Sequence, residues 1–235
     1  MTQREKMPLR HQKSGGYSRG DETRQRIINA AIDVFSEAGF NAATTRQIAM
    51  RAEVNLPALQ YYFGNKDGVY IACAASIADE LIAVFDPIIR QIDQLMAESD
   101  PIEADRYIDI FCRFQDVFID SLLSENNSKT RSLFQAQIQN NQGPEEAFNL
   151  VRDRLGIHIN NAGKLLIARI SQRDEKDMLT QVRFITLFGQ SLIFNTARRS
   201  TLDRLGWTAI DPVKIDLLKK IIREQTRTLL ESWKP

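Results

Sequence analysis

In 235 residues the chain has two histidines, His11 and His158, and two cysteines, Cys73 and Cys112. Neither cysteine stands at a metal-ligand spacing, so a zinc or redox-metal centre has almost nothing to be built from. A histidine-based triad is equally poorly supplied. No glycine-rich phosphate loop occurs and no nucleophile has a plausible base, so the scattered Asp and Glu are read as helix surface and enzyme chemistry is set aside. No apolar run approaches the roughly 18 residues that span a bilayer. The polar, basic N-terminus lacks the apolar stretch of a secretory signal. The two cysteines are therefore read as reduced core thiols of a cytoplasmic protein with no cofactor and no membrane partner. Strand-like alternation is missing throughout.

What remains is helix. Hydrophobic residues at 43% and charged residues at 26% suit a globular chain with a sizeable core. The net charge of +1 argues against a protein that coats nucleic acid. It is unevenly spread: residues 1–70 carry ten Lys/Arg against seven Asp/Glu, a net +3, which leaves −2 for the rest. Residues 1–20 hold five Lys/Arg, one acid and three glycines and read as a disordered basic tail. From Asp21 the apolar positions Ile27, Ala31, Val34, Phe35 and Ala38 recur at helical spacing, and Gly39 is the expected stop. Further helices are expected over 66–85, 87–97, 102–123, 129–140, 145–171, 174–199 and 212–232. The breaks are expected at Pro87, Ser99-Asp100-Pro101, Ser124 to Asn127, Gly143-Pro144 and Gly206 to Pro212. The fold class is all-α: a three-helix module over 21–67 on a larger helical body over 68–235.

Within the module, Thr44 or Thr45 caps a short helix, about 45–52, whose Ile48, Ala49 and Ala52 face inward. Asn55-Leu56-Pro57 opens a second, about 56–62, and Gly64-Asn65 ends it. A bracing helix, a tight turn and a reading helix is the arrangement that docks on duplex DNA. Gln60 can pair with adenine, Arg46 can reach guanine or phosphate, and Leu56 and Ala58 can lie on thymine methyls. Thr44, Thr45, Tyr61, Tyr62 and Lys66 are the candidates for gripping phosphate. Neighbouring positions on a helix lie about 100° apart, so Tyr61 and Tyr62 cannot both face a core. Phe63 is read as the packing anchor against the first helix.

These residues carry a resemblance. Ala30-Ala31-x-x-x-Phe35-x-x-x-Gly39-Phe40, Thr44-Thr45-Arg46-x-Ile48-Ala49, Val54 and Leu59-x-Tyr61-Tyr62-Phe63-x-Asn65-Lys66 resemble the TetR family of bacterial transcriptional regulators. Further on, Tyr70-x-Ala72-Cys73-Ala74, Phe188-Gly189-Gln190 with Phe194, Arg198 and Arg199, and Leu205-Gly206-Trp207 with Ile210-Asp211 are similar to its CecR-type subgroup. The resemblance implies a homodimeric repressor that occupies a palindromic operator and leaves it when a small molecule binds. The subgroup implies control of transport or efflux genes. Two positions depart from the pattern. Glu53 stands where the family usually has a turn glycine, and Leu56-Pro57-Ala58 replaces small polar residues.

The last two long helices carry apolar stripes. One runs through Ile215, Leu218, Ile222, Leu229 and Trp233, the other through Val182, Ile185, Leu187, Gly189, Leu192, Ile193 and Phe194. The resemblance places a dimer interface there, with Ile185, Gly189, Leu192, Ile215, Leu218, Ile222 and Leu229 as its candidates; the alternative is that both stripes pack inside one chain. Helix 102–123 is apolar nearly all round and is expected to be buried. By the resemblance, Phe85, Phe111, Phe114, Phe118 and Phe134 are candidate walls of a site for a small apolar effector, against a reading as plain core. Arg113, Gln115 and His158 are its candidate polar contacts. The competing function is a DNA-binding regulator without a ligand, its body serving only dimerisation or a protein partner.

Overall fold

A computed structural model describes residues 19–99, 103–123 and 129–235, and every regular element among them is helical. Most of the expected basic tail, and most of the expected breaks around Asp100 and Ser124 to Asn127, lie outside the described residues. Helix α1, Arg19–Ala42, takes in the last two residues assigned to the tail and carries Asp21 and Glu22 in its first turn, where carboxylates suit the helix dipole. At Gly39 the backbone leaves helical geometry (φ 75°, ψ 164°), at the position of the expected stop, before a last turn runs on to Ala42. Short helices α2, Thr45–Arg51, and α3, Leu56–Phe63, follow, and then α4, Lys66–Met96.

The expected break at Pro87 does not occur. Helix α4 runs 31 residues straight through it. Proline removes one donor and crowds the carbonyl four residues back. Here both Pro87 and Ala83 are on the exposed side, so solvent can serve the orphaned carbonyl. By length and hydropathy (1.7 over its best window) α4 is apolar enough to cross a membrane, but its buried positions, from Val69 to Leu95, pack against neighbouring helices along its length.

The body continues as α5, Ala104–Leu123; α6, Lys129–Gln139; α7, Glu145–Val151; α8, Ile157–Ser171; α9, Met178–Thr196; α10, Arg198–Leu205; and α11, Pro212–Ser232. The single helix expected over 145–171 is interrupted by a π turn, Arg152–Gly156, between α7 and α8. That expected over 174–199 begins at Met178 and bends at Ala197 into α10.

The cores divide differently from the expected boundary at residue 68. One cluster joins α1, α2 and α3 to the first part of α4 as far as Ile77, and takes in Phe134 and Ile138 of α6 and Ala147 of α7. Phe134 stacks on Phe35 (ring centroids 6.1 Å) and meets Tyr70 edge-on (4.8 Å). It therefore belongs to the N-terminal module's core and is no wall of a pocket in the body. The Ser36 hydroxyl donates to Thr130 O (2.7 Å), and Gly143 closes the α6–α7 turn directly on the Tyr70 ring, where a Cβ would come within 2.6 Å. Burial pushes the Tyr70 phenol up to about 12, so it stays protonated.

The second cluster fills the body with Phe85, Phe111, Phe114, Phe184 and Phe188, and a third packs Ile119 and Leu123 against Ile210, Ile215, Leu218 and Ile222. A line of ion pairs follows the α5–α11 seam: Asp105–Lys234, Asp109–Arg227, Asp116–Arg223 and Asp120–Lys219. Mostly exposed, they fix register more than they stabilise.

Candidate nucleic-acid interface

Three caps place the reading elements. Thr44 opens α2 with a reciprocal box: its hydroxyl accepts from Gln47 N (3.2 Å), and Gln47 Oε1 accepts from Thr44 N (2.8 Å). Asn55 caps α3 through Ala58 N (2.8 Å), with Pro57 in the first turn, and Asn65 caps α4 through Gly68 N (2.8 Å). Arg51 forks onto Glu37 (2.7 and 3.0 Å), tying the end of α2 to α1 and holding the Glu37 carboxyl below its usual range. The turn between α2 and α3 carries Glu53 at φ 53°, a left-handed conformation that a glycine would adopt without strain. The strain is about 1–2 kcal/mol, partly offset in a glycine variant by its freer unfolded chain, about 0.5–1 kcal/mol. Glu53→Gly should therefore raise the melting temperature by up to roughly 6 °C; a lower value would mean the turn carries no such strain.

On this frame Arg46, Gln60 and Tyr61 are exposed, Tyr61 at 85%, while Thr45, Leu56, Ala58 and Tyr62 are half-buried and Leu59 is buried. Tyr61 meets Tyr62 edge-on (5.3 Å), and Tyr62 and Phe63 pack on the module's core. The exposed Arg46, Gln60 and Tyr61 thus stand on two short helices that contact each other. Thr44 and Lys66 are placed otherwise. The Thr44 hydroxyl is engaged in its cap, accepting from Gln47 N and donating to Gln47 Oε1. The half-buried Lys66 ammonium turns back onto backbone carbonyls of α1 and the α1–α2 connection. Sequence reasoning missed Arg24, whose guanidinium lies over the Phe63 ring at 5.4 Å and sets a cation beside the end of α3. Only the helical register of α1 hinted at it, because the pairing spans 39 positions of sequence.

In the body, Phe111, Phe114 and Phe118 come together around Phe188 and Phe85 joins them through Phe114 and Phe118, with ring centroids 4.7–6.4 Å apart. The space beside Phe85 measures about 100 Å³ and is bounded by Ile82, Asp86, Ile89, Leu155, His158 and Ile159. Of the candidate polar contacts, only His158 borders it. Arg113 bonds Gln91 on the surface, and the buried Gln115 is satisfied at both ends of its amide.

The stripes of α9 and α11 need correcting too. Ile215, Leu218 and Ile222 are buried against α5 and Ile210 and cannot face a second chain. Helix α11 has two apolar stripes, and the outward one is Val213, Leu217, Ile221 and Leu229. Beside it, α9 exposes Met178, Val182, Ile185 and Ile193, with Leu192 half-buried. A Cβ on Gly189 would meet nothing within 4 Å, so the backbone there is open to close approach. A surface cleft of about 460 Å³ runs between the two helices along Gln190, Glu224, Gln225, Thr228 and Leu229.

Two family models match the chain. Residues 27–73 match the family described as bacterial regulatory proteins, tetR family, and residues 108–233 match the C-terminal domain of the HTH-type transcriptional dual regulator CecR. The chain is 31% identical to the HTH-type transcriptional dual regulator CecR of Shigella flexneri over 204 residues, covering 87% of this chain and 89% of that one. Among solved structures it resembles the fatty acid degradation regulator FadR of Bacillus halodurans (TM-score 0.56, 17% identity, 86% of this chain and 97% of that chain). It also resembles GusR of Salmonella enterica (TM-score 0.57, 12% identity, 92% and 97%). At these identities the two structures speak for the fold alone.

Proposed function

The chain belongs to the TetR family of bacterial transcriptional regulators, which are not enzymes, and from that premise we propose that it is a homodimeric repressor of transport or efflux genes. In this reading it sits on a palindromic operator and leaves when a small apolar molecule binds the helical body. The observation that carries the DNA role is the exposed set Arg46, Gln60 and Tyr61 on two capped helices joined by a tight turn. Gln60 and Arg46 read bases, Leu56 and Ala58 lie on thymine methyls, and Thr45, Tyr61 and Tyr62 hold phosphate. The dimer is supported by the outward stripes of α9 and α11, because a contiguous exposed apolar face on a globular chain calls for a partner. A two-fold operator calls for the same partner. Residues 68–235 supply that face and the effector site, and the effector acts by favouring a spacing of reading helices that no longer fits successive major grooves.

A second reading rests on the packing of the body. Drug-sized ligands occupy about 300–1,000 Å³, whereas the space beside Phe85 is about 100 Å³. A space of that size beside the phenylalanine cluster fits a regulator without a ligand, its helices serving only dimerisation or a protein partner.

Titration of the purified protein against duplex from its own upstream region tests the leading reading. Saturable binding of two chains to a palindrome is expected. Gln60→Ala combined with Tyr61→Ala should weaken it at least a hundredfold, since a bidentate base contact alone is worth about 1–3 kcal/mol. Binding no tighter than to random duplex would withdraw the reading of an operator upstream of its own gene. A panel of small apolar compounds, scored for release of that duplex, separates the ligand-responsive from the ligand-independent form.

A further inference from the structure

A glycine inside a helix weakens it, so its presence calls for a reason. Elsewhere in the body the reason lies in the chain itself: a Cβ on Gly163 of α8 would come within 2.1 Å of the Phe184 ring. Gly189, inside α9, has no such neighbour, since a Cβ there meets nothing within 4 Å. Nor does its backbone adopt the left-handed conformation that favours glycine. The missing side chain therefore gives clearance to something outside this chain. One helical turn earlier on the same face stands Ile185, 66% exposed. A bare patch and a projecting side chain four residues apart are what a two-fold contact needs, because there each residue meets the other's counterpart reciprocally.

Charge fixes the direction. Just before and at the cap of α9, residues 173–177 carry three acids against two bases, and beyond its end residues 198–204 carry three arginines against one acid. Glu175, Arg198 and Arg199 are exposed, and no ion pair engages them among the described residues. Two copies of α9 laid parallel would set like ends together. Laid antiparallel, they set the acidic end against the basic one, and their helix dipoles oppose.

We propose that a second copy of this chain lies antiparallel along α9, with Ile185 of the partner subunit seated on the bare backbone of Gly189, and the reverse. The inference rests on the homodimer proposed above and adds its register: the two-fold passes at position 187, midway between the two residues. Ile185 is the knob, Gly189 the hole, and the charged ends exclude the parallel arrangement.

The first test is cross-linking of Val182→Cys combined with Ile193→Cys, by mild oxidation with copper phenanthroline; the native cysteines are buried. In this register Val182 falls within about 1.5 Å along the axis of Ile193 in the other copy, whereas each residue lies roughly 15–18 Å from its own counterpart. The double variant should form a covalent dimer and neither single variant should. Cross-linking by a single variant, or none by the double, would overturn the register. The second test is Gly189→Leu, read by analytical ultracentrifugation. Leucine suits a helix better than glycine and meets nothing in its own chain, so the fold should hold while association weakens at least a hundredfold. Adding Ile185→Ala, which makes room opposite, should recover most of that loss. A Gly189→Leu protein as dimeric as wild type, or a double variant no better than the single, would overturn the proposal. Wild-type protein that stays monomeric would sink the homodimer and this register with it. A dimer that Ile185→Glu dissociates and Gly189→Leu does not would sink the register alone.

Discussion

Ile185→Glu should turn the protein into a folded monomer that holds its operator at least a hundredfold less tightly. Ile185 is 66% exposed in the single chain, so the change should leave the monomer's own stability within about 0.5 kcal/mol. The cost falls on association. Met178, Val182, Ile185, Gly189 and Ile193 follow one another at three- and four-residue steps, and the outward stripe of α11 lies alongside. In a two-fold interface this face meets its own copy. Glutamate at 185 would bring two like charges into a desolvated contact, which costs several kcal/mol. Without the dimer each reading module binds alone and loses the roughly 10²–10⁴ that linkage contributes. Analytical ultracentrifugation would give the oligomeric state, and anisotropy with the operator duplex would give the affinity. A variant that stays dimeric would move the interface off this face. Ile222→Glu makes the contrast: that side chain is buried against α5 and α11's own neighbours, so its replacement should unfold the chain instead of dissociating it.

The contrast between Ile185 and Ile222 marks the limit of what a sequence discloses here. Helix boundaries in the N-terminal module were legible because their signals are local. Thr44 with Gln47, Asn55 with Pro57, and Gly64 with Asn65 each act within four residues. The all-α class followed from periodicity alone. Periodicity gives a stripe, though, and does not say which neighbour the stripe meets. Helix α11 has apolar groups on two sides, and the expectation joined the inward Ile215, Leu218 and Ile222 with the outward Leu229 in one interface stripe. Phe134 was grouped with the body's phenylalanines by type, while its partners Phe35 and Tyr70 lie far back in the chain. The acceptors that Lys66 meets are backbone carbonyls, which no sequence pattern displays. Pro87 failed as a break because its solvent-facing register relieved the usual penalty.

Gln115→Met should lower stability by about 2–3 kcal/mol although it keeps the volume and removes a polar group from the core. Gln115 is 1% exposed and bolts three helices together: its Nε2 donates to Leu187 O of α9 (2.8 Å), and its Oε1 accepts from the Thr226 hydroxyl of α11 (2.8 Å). Methionine would break both bonds and leave the Thr226 hydroxyl, 0% exposed, without that partner. The asymmetry between losing one partner and losing both gives the sharper test. Adding Thr226→Val removes the stranded hydroxyl, so the double variant should recover to within about 1 kcal/mol of wild type. For a chain of this size, 1 kcal/mol corresponds to roughly 2–4 °C in melting temperature. The single variant should therefore melt roughly 4–12 °C lower, compared at fixed protein concentration because association shifts the midpoint. Costs that merely add would show that Gln115 and Thr226 do not act as a pair. The bolt lies beneath α9 and α11, the helices that carry the proposed dimer face. If the pair does act together, the single variant should also weaken dimerisation, and the double variant should restore it with the melting temperature.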